Sequence, residues 1–235
     1  MRLPARPSPR GRFLSYVAGT FAVVTDVYLE IGPKRVFACS LEYPGWCRVA
    51  KTDHDALAAL DDYGARYAVI AKRAGVAFRP GELTVVERLK GSATTDFGAP
   101  DQAAAADERD LDKAGAARLA KLMRAAWDEL DAVAAKTPEH LVKGPRGGGR
   151  DRTKMLDHIV SSEASYARLL GLKYKVESYD DTEGITALRD AIADAIGNAR
   201  KGVPLREKGW LPRYAARRIA WHVLDHLWEM QDKTP

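Results

Sequence analysis

The feature that most restricts the fold of this chain is the helical hydrophobic period of its C-terminal half. Apolar residues recur there every three or four positions in four separate segments, with no alternating strand pattern between them. The segments cover residues 108–136, 153–172, 184–200 and 213–231. Four helices of this length bury their apolar stripes best against one another, so we expect an up-down four-helix bundle.

The N-terminal part shows a mixed pattern of strand and helix. VYLEIG and RVFACSLEY alternate as half-buried strands do, with Phe37 and Cys39 on one face. The turn YPGW, a third strand CRVAK, a helix that begins after Thr52 and a closing strand LTVVERL complete a small unit. We therefore predict an α+β protein of two domains, residues 26–90 and 107–235.

The two predicted domains are separated by a linker at residues 91–106, which is rich in Gly, Ala, Thr and Asp and has no hydrophobic period. Residues 1–25 form a basic leader in which four arginines precede Asp26. They supply 4 of the net charge of +5, so the remaining chain is close to neutral. This distribution argues against a nucleic-acid-binding surface and favours a disordered tail.

A secretory signal is the alternative interpretation of the leader, because its basic residues are followed by the apolar run FLSYVAGTFAVV. The run is too short to span a bilayer, and no small-residue cleavage site precedes Asp26. Cys39 and Cys47 are the two cysteines of the chain, and they provide no dense disulfide framework. We expect a cytoplasmic protein that binds neither membrane nor nucleic acid.

Three histidines carry the strongest chemical signal. His222 and His226 are one helical turn apart, so both imidazoles project from the same helix face, and one metal ion can bind both. Apolar residues flank the pair, and in a buried setting unpaired imidazoles would be costly. His158, on the second helix of the bundle, is the third candidate ligand. Three nitrogen ligands leave a tetrahedral ion one open position for water or substrate.

The segments HIVSSEASYARLLG and PRYAARRIAWHVLDHLWE resemble the two ligand-bearing helices of the DinB superfamily, a likeness that covers roughly residues 107–231. The resemblance implies a divalent metal held by His158, His222 and His226, with zinc as the first choice and nickel, iron or manganese as alternatives. Characterised members include transferases and isomerases that use low-molecular-weight thiols. A metal with an open position favours the thiolate of a bound thiol or activates water, so a thiol-dependent S-transferase and a hydrolase both stay open.

The segment LEYPGWCRVAKTDHDALAAL resembles the small sheet-and-helix domain of HicB-like proteins, in which a strand, a Pro-Gly turn, a second strand and a Thr-capped helix follow one another. The resemblance implies an interface for a partner or a cover for the metal site. It supports a second hypothesis, a non-catalytic interaction protein in which the metal stiffens the bundle. A homodimer formed through bundle helices is compatible with both hypotheses.

Further polar residues are candidates for roles around the histidines. We consider Glu163 and Glu229 as catalytic groups, which would orient a ligand ring or act as a base. Arg217 and Arg218, about one turn before His222, are candidates to bind an anionic small-molecule substrate. A solvated helix face is the alternative for all four. The run GPRGGGRDR lacks the order of a phosphate-binding loop and is interpreted as a flexible interhelix loop beside the metal site.

Overall fold

A four-stranded sheet forms the N-terminal half of the structure, a computed structural model that describes residues 23–144 and 149–235. The strands are β1 (Val24–Ile31), β2 (Val36–Ser40), β3 (Cys47–Ala50) and β4 (Glu82–Lys90). Their order across the sheet is β3-β2-β1-β4. The first three strands are antiparallel neighbours, whereas β4 returns parallel to β1. β1 begins inside the expected leader, and the rest of that leader, residues 1–22, lies outside the described residues.

Two helices, α1 (Asp53–Asp62) and α2 (Gly64–Arg73), occupy the place of the single helix that the sequence predicts. They meet at Tyr63, which ends α1 and precedes α2. Thr52 caps α1, since its side chain accepts the backbone N–H of Asp55, as the sequence indicates. The side chains of α1 and α2 share a buried cluster with one face of β1 and β2.

The opposite face of the sheet packs against the last helix of the chain. Phe37 and Cys39 share this face, as the alternation predicts, and they join Tyr28 and Cys47 in a small cluster around Trp221. The rings of Phe37 and Trp221 meet edge to face, with their centroids 6.0 Å apart. The sheet is therefore buried on both faces.

The segment predicted as a structureless linker is ordered. It contains the short helix α3 (Ala93–Phe97) and a 3₁₀ turn at Ala105–Glu108. The cause is the buried carboxylate of Glu30 on β1, which accepts the Thr95 hydroxyl and the backbone N–H groups of Asp101 and Gln102. The composition of the segment does not reveal this partner, because Glu30 lies about 65 to 72 positions earlier in the chain.

Four long helices form the C-terminal half, as the hydrophobic period predicts: α4 (Lys113–Ala134), α5 (Arg152–Leu169), α6 (Thr182–Gly197) and α7 (Pro212–Asp232). The up-down direction of the helices stays a prediction, and the contacts between them give their arrangement. α4 and α5 each pack against both α6 and α7. α4 and α5 therefore lie at opposite corners of the four-helix group, although they follow each other in the chain. The connection at residues 135–151 is long enough to cross the end of the bundle, which makes this arrangement accessible.

The two predicted domains share one hydrophobic core. Val27 and Leu29 of the sheet belong to the same buried cluster as Leu130 of α4 and Leu227 of α7. Packing is continuous across the expected domain boundary, so the division into two separate domains stays a prediction. Within residues 23–144 and 149–235, no helix is long and apolar enough to cross a membrane.

Candidate metal centre

Two helices bring the three histidines together. His158 lies in the second turn of α5, and His222 and His226 lie on the middle of α7. α7 is buried along most of its length because the sheet covers one side and the bundle the other. His222 and His226 are consequently buried, while His158 is partly exposed.

The three rings converge on a common point. The Nε2 atoms of His158 and His222 are 3.2 Å apart, and one candidate ligand nitrogen of each residue lies within 4.8 Å of the other two. Two nitrogens about 2.0–2.1 Å from a tetrahedral zinc ion are about 3.3 Å from each other. The pair of His158 and His222 already has this spacing, and His226 offers a third nitrogen within 4.8 Å of the other two, so the donor set suits a divalent ion.

The surroundings keep two of the rings uncharged. Burial lowers the pKa of His158 to about 4, helped by the positive charge of Arg150. Burial also lowers the pKa of His222 well below its ordinary value, and His226 and Arg218 add to the effect. At neutral pH both imidazoles are therefore neutral, which is the form that binds a metal.

Glu229 supports the ring of His226. Its carboxylate lies 3.1 Å from Nδ1 of His226 and also pairs with Lys233 one turn later. These hydrogen bonds lower the pKa of Glu229 to about 2, with the bond to His226 as the largest cause. A carboxylate of such low basicity is a poor general base at neutral pH. Its geometry suits it instead to accept the Nδ1–H of His226 and leave Nε2 free for a metal.

Glu163 does not reach the histidines through either of its oxygens. One oxygen accepts the indole N–H of Trp127 at 2.7 Å, and the other accepts the Nε–H of Arg189 at 3.2 Å. The side chain is fully buried between α4, α5 and α6, where an unpaired carboxylate would be strongly destabilising. The expected catalytic role is corrected accordingly. Glu163 belongs to a buried ion pair of the bundle interior.

Arg217 and Arg218 have different surroundings. The guanidinium of Arg217 is buried, pairs with Asp107 and lies over the ring of Tyr28, 4.7 Å from its centroid. It therefore faces the sheet, which corrects the prediction that it binds substrate beside the metal. Arg218 stacks over Tyr166 and Trp221, at 5.1 Å and 4.6 Å from the ring centroids.

Arg218 is consequently close to the metal centre. The rings of Tyr166 and Trp221 lie 5.7 Å and 6.2 Å from the ring of His222. The Nη1 atom of Arg218 is buried and has no hydrogen-bond partner among the described residues. Of the two arginines that the sequence predicts to bind substrate, Arg218 is therefore the one that lies close to the histidines.

The sequence did not indicate that Arg48 of β3 contacts α7, the helix that carries His222 and His226. Its guanidinium pairs with Asp225, 3.3 Å away, between the two histidines of α7. It also lies over the ring of Tyr63, 3.9 Å from the centroid. Arg48 and Asp225 are 177 positions apart, and no local pattern links them. Arg150 belongs to the loop that the sequence predicts beside the metal site, and its charge lowers the pKa of His158. Residues 145–148 of that loop lie outside the described residues.

No protein-family model matches this chain, and searches against curated proteins and solved structures find no match either. The likenesses to DinB and HicB-like proteins therefore stay predictions.

Proposed function

We propose that this protein is a metal-dependent enzyme that binds one divalent ion through His158, His222 and His226. The observation that carries the proposal is the convergence of three imidazoles from two helices, two of which are neutral at neutral pH. Zinc suits an all-nitrogen donor set of this size best, and nickel, iron and manganese are alternatives.

The reaction that we favour is a thiol-dependent transfer or a hydrolysis on an anionic small molecule. A bound ion supplies Lewis acidity at the position that three protein ligands leave open. The protein contributes the remaining functions: Glu229 orients His226, and the partly exposed side of His158 admits the substrate. Arg218 and Arg150 place positive charge beside the rings, which favours a substrate that carries a carboxylate or a similar anionic group.

A second candidate function is a metal-stabilised interaction protein. The contacts between Arg48 and Asp225 favour it, because they tie the sheet directly to the helix that holds two of the ligands. In this case the metal stabilises the joint between sheet and bundle, and the sheet unit binds a partner.

Metal analysis of protein purified without a histidine tag tests the shared premise of both candidates. We expect about one equivalent of a divalent metal, and a loss of that metal in His222→Ala and His158→Ala. His140→Ala is the matched control, because the His140 side chain is almost fully exposed and lies outside the cluster. Wild-type protein without metal, or unchanged metal in His222→Ala, would contradict the proposal.

Turnover separates the two candidates. Holoprotein is assayed with small thiols plus electrophiles, with and without a carboxylate on the electrophile, and with hydrolysable esters and amides. An enzyme loses turnover in His158→Ala, and Arg218→Met raises KM for the carboxylate-bearing compounds more than for neutral ones. Metal-loaded protein that converts none of these compounds would favour the interaction protein.

A further inference from the structure

Cys39 and Cys47 lie directly opposite each other on β2 and β3. Ser40 and Trp46 form the neighbouring pair, in which the backbone N–H of Ser40 donates to the carbonyl oxygen of Trp46 at 3.0 Å. Because such bonds alternate along an antiparallel ladder, the cysteines occupy a non-hydrogen-bonded position, where Cα atoms are typically about 4.5 Å apart. This separation is within the range that a disulfide bridges. Both thiols are free in the structure and buried.

The two thiols border a small cavity between the sheet and α7. Tyr28, Arg217 and Trp221 line it as well, and it has room for about one water-sized molecule. Arg217 uses Nη2 for Asp107, but its Nε and Nη1 atoms are buried without a hydrogen-bond partner in the described part of the chain. A buried guanidinium beside a cavity, with two donors that lack a partner, favours a small polar molecule as the occupant of this cavity.

The ionisable side chains around this cavity affect one another's pKa values. Burial raises the pKa of the Cys47 thiol, and the neighbouring Cys39 raises it further. Burial likewise raises the pKa of Tyr28, to which Cys39 also contributes, while Arg217 opposes the shift. The two thiols, the phenol and the guanidinium therefore lie within interaction distance of one another. None of these groups belongs to the candidate metal centre.

We propose that Cys39 and Cys47 form a redox-active pair, which hydrogen peroxide converts into a cross-strand disulfide. One sulfur, after losing its proton, attacks the O–O bond of the peroxide, which gives a sulfenic acid and one water. The second sulfur then displaces the sulfenic oxygen, so the S–S bond forms as the S–O bond breaks and a second water leaves. Two thiols and one peroxide thus yield one disulfide and two waters.

Arg217 assists this reaction through its position. Burial disfavours the thiolate that must form, and the positive charge of Arg217, which interacts with both sulfurs, partly offsets this cost. The unpartnered N–H groups of Arg217 can donate hydrogen bonds to the departing oxygen. The cavity has room for about one water-sized molecule, so we expect hydrogen peroxide to reach the thiols more readily than the far larger organic hydroperoxides and glutathione disulfide. The inference is independent of the proposed metal-dependent activity.

Peptide mapping of the full-length native protein tests the proposal. Both cysteines fall in one tryptic peptide, residues 36–48, so the disulfide appears as the loss of two hydrogens and of both alkylation sites in that peptide. We expect this product after treatment with hydrogen peroxide, and little of it with cumene hydroperoxide or glutathione disulfide. Cys47→Ser is expected to lack the product, and the metal-site variant His222→Ala is expected to retain it.

The result that would overturn the proposal is equally specific. If both thiols stay free in the native protein but are oxidised by the same peroxide in urea, they are ordinary buried core residues. Equal oxidation of native protein by all three reagents would also contradict the proposal, because the cavity would then not control access. Because His222→Ala reports on the metal separately, failure of this proposal leaves the proposed metal-dependent function untouched.

Discussion

The neutral state of His158 and His222 follows from where their rings lie, and it defines what the site can do. His222 is buried and His158 is partly buried, and the guanidinium groups of Arg150 and Arg218 disfavour a positive charge on these rings. Glu229, in contrast to these neutral rings, is charged at neutral pH, because its hydrogen bonds lower its pKa. Its carboxylate accepts a hydrogen bond from His226. Two of the candidate ligands are therefore neutral, and the charged carboxylate of Glu229 lies beside the third, His226.

Removal of the orienting carboxylate is expected to weaken metal binding. Glu229→Ala leaves Nδ1 of His226 without an acceptor, so the metal affinity should fall about 10- to 100-fold. Competition with a fluorescent zinc chelator measures this change. Glu177→Ala, at an exposed position of the α5–α6 connection, serves as the control and should retain wild-type affinity. An unchanged affinity in Glu229→Ala would show that His226 needs no such support.

The metal-free protein is expected to lose stability as the pH falls below about 6.5. The pKa values of His158 and His222 are lowered by folding, so in this pH range the unfolded chain binds more protons than the native one. The free energy of unfolding then decreases with decreasing pH, down to about pH 4 for His158 and lower for His222. Urea denaturation at pH 7, 6 and 5 measures the slope. His222→Gln should show a smaller slope, and an equal slope would assign the effect to other groups.

The turn between β2 and β3 shows how one element positions another. Gly45 has a φ of +87°, and a Cβ at this residue would lie 2.7 Å from Leu224 Cδ1 and 2.9 Å from the carbonyl carbon of Ala220, both on α7. The backbone of the turn therefore rests directly on the helix that holds two of the candidate ligands. Arg48, at the start of β3, adds the ion pair to Asp225 on the same helix. The sheet thus fixes the position of α7.

Gly45→Ala is expected to destabilise the protein more than a substitution at a comparable free glycine. Gly75 is the matched control, because its φ is +64° and nothing lies within 4 Å of the added Cβ. Gly75→Ala should cost about 1–2 kcal/mol from backbone strain alone, whereas Gly45→Ala adds the clash with α7 and should cost roughly 1–3 kcal/mol more. Urea denaturation measures both, and equal losses would show that α7 can move away from the turn.

The whole molecule is held together by the continuity of its core. The sheet buries one face under α1 and α2 and the other against α7, and α7 belongs to the bundle as well. The segment predicted as a linker, residues 91–106, adds contacts to Glu30 of β1, and Asp107, which follows this segment, pairs with Arg217 of α7. Neither half can therefore unfold without exposing apolar surface of the other.

Unfolding of the full chain is expected to occur in one cooperative transition. Leu29→Ala in the sheet and Leu188→Ala in the bundle each remove a fully buried side chain and should each cost about 2–5 kcal/mol. Both substitutions should shift the same transition, detected together by far-UV circular dichroism and tryptophan fluorescence. Two separated transitions, with each substitution moving only one of them, would establish two independent domains.

Much of the secondary structure and the histidine set could be predicted because both depend on short-range spacing. The hydrophobic period identifies four helices, the alternation places Phe37 and Cys39 on one face, and the distance between His222 and His226 is one helical turn. These features need only the geometry of a helix or strand, which a few neighbouring residues determine. The apolar setting of α7 also indicated that its histidines would be buried.

Only the tertiary structure decided which polar groups meet. Glu163 pairs with Arg189 and not with the histidines. Arg217 faces the sheet, whereas Arg218 lies beside the aromatic rings next to His222. Arg48 contacts Asp225 of α7, which is 177 positions later in the sequence. A charged residue in a helix has the same local pattern whichever partner it finds. Its role depends on which buried group across the core still needs a hydrogen bond or a counter-charge, and this requirement arises only when distant segments pack together.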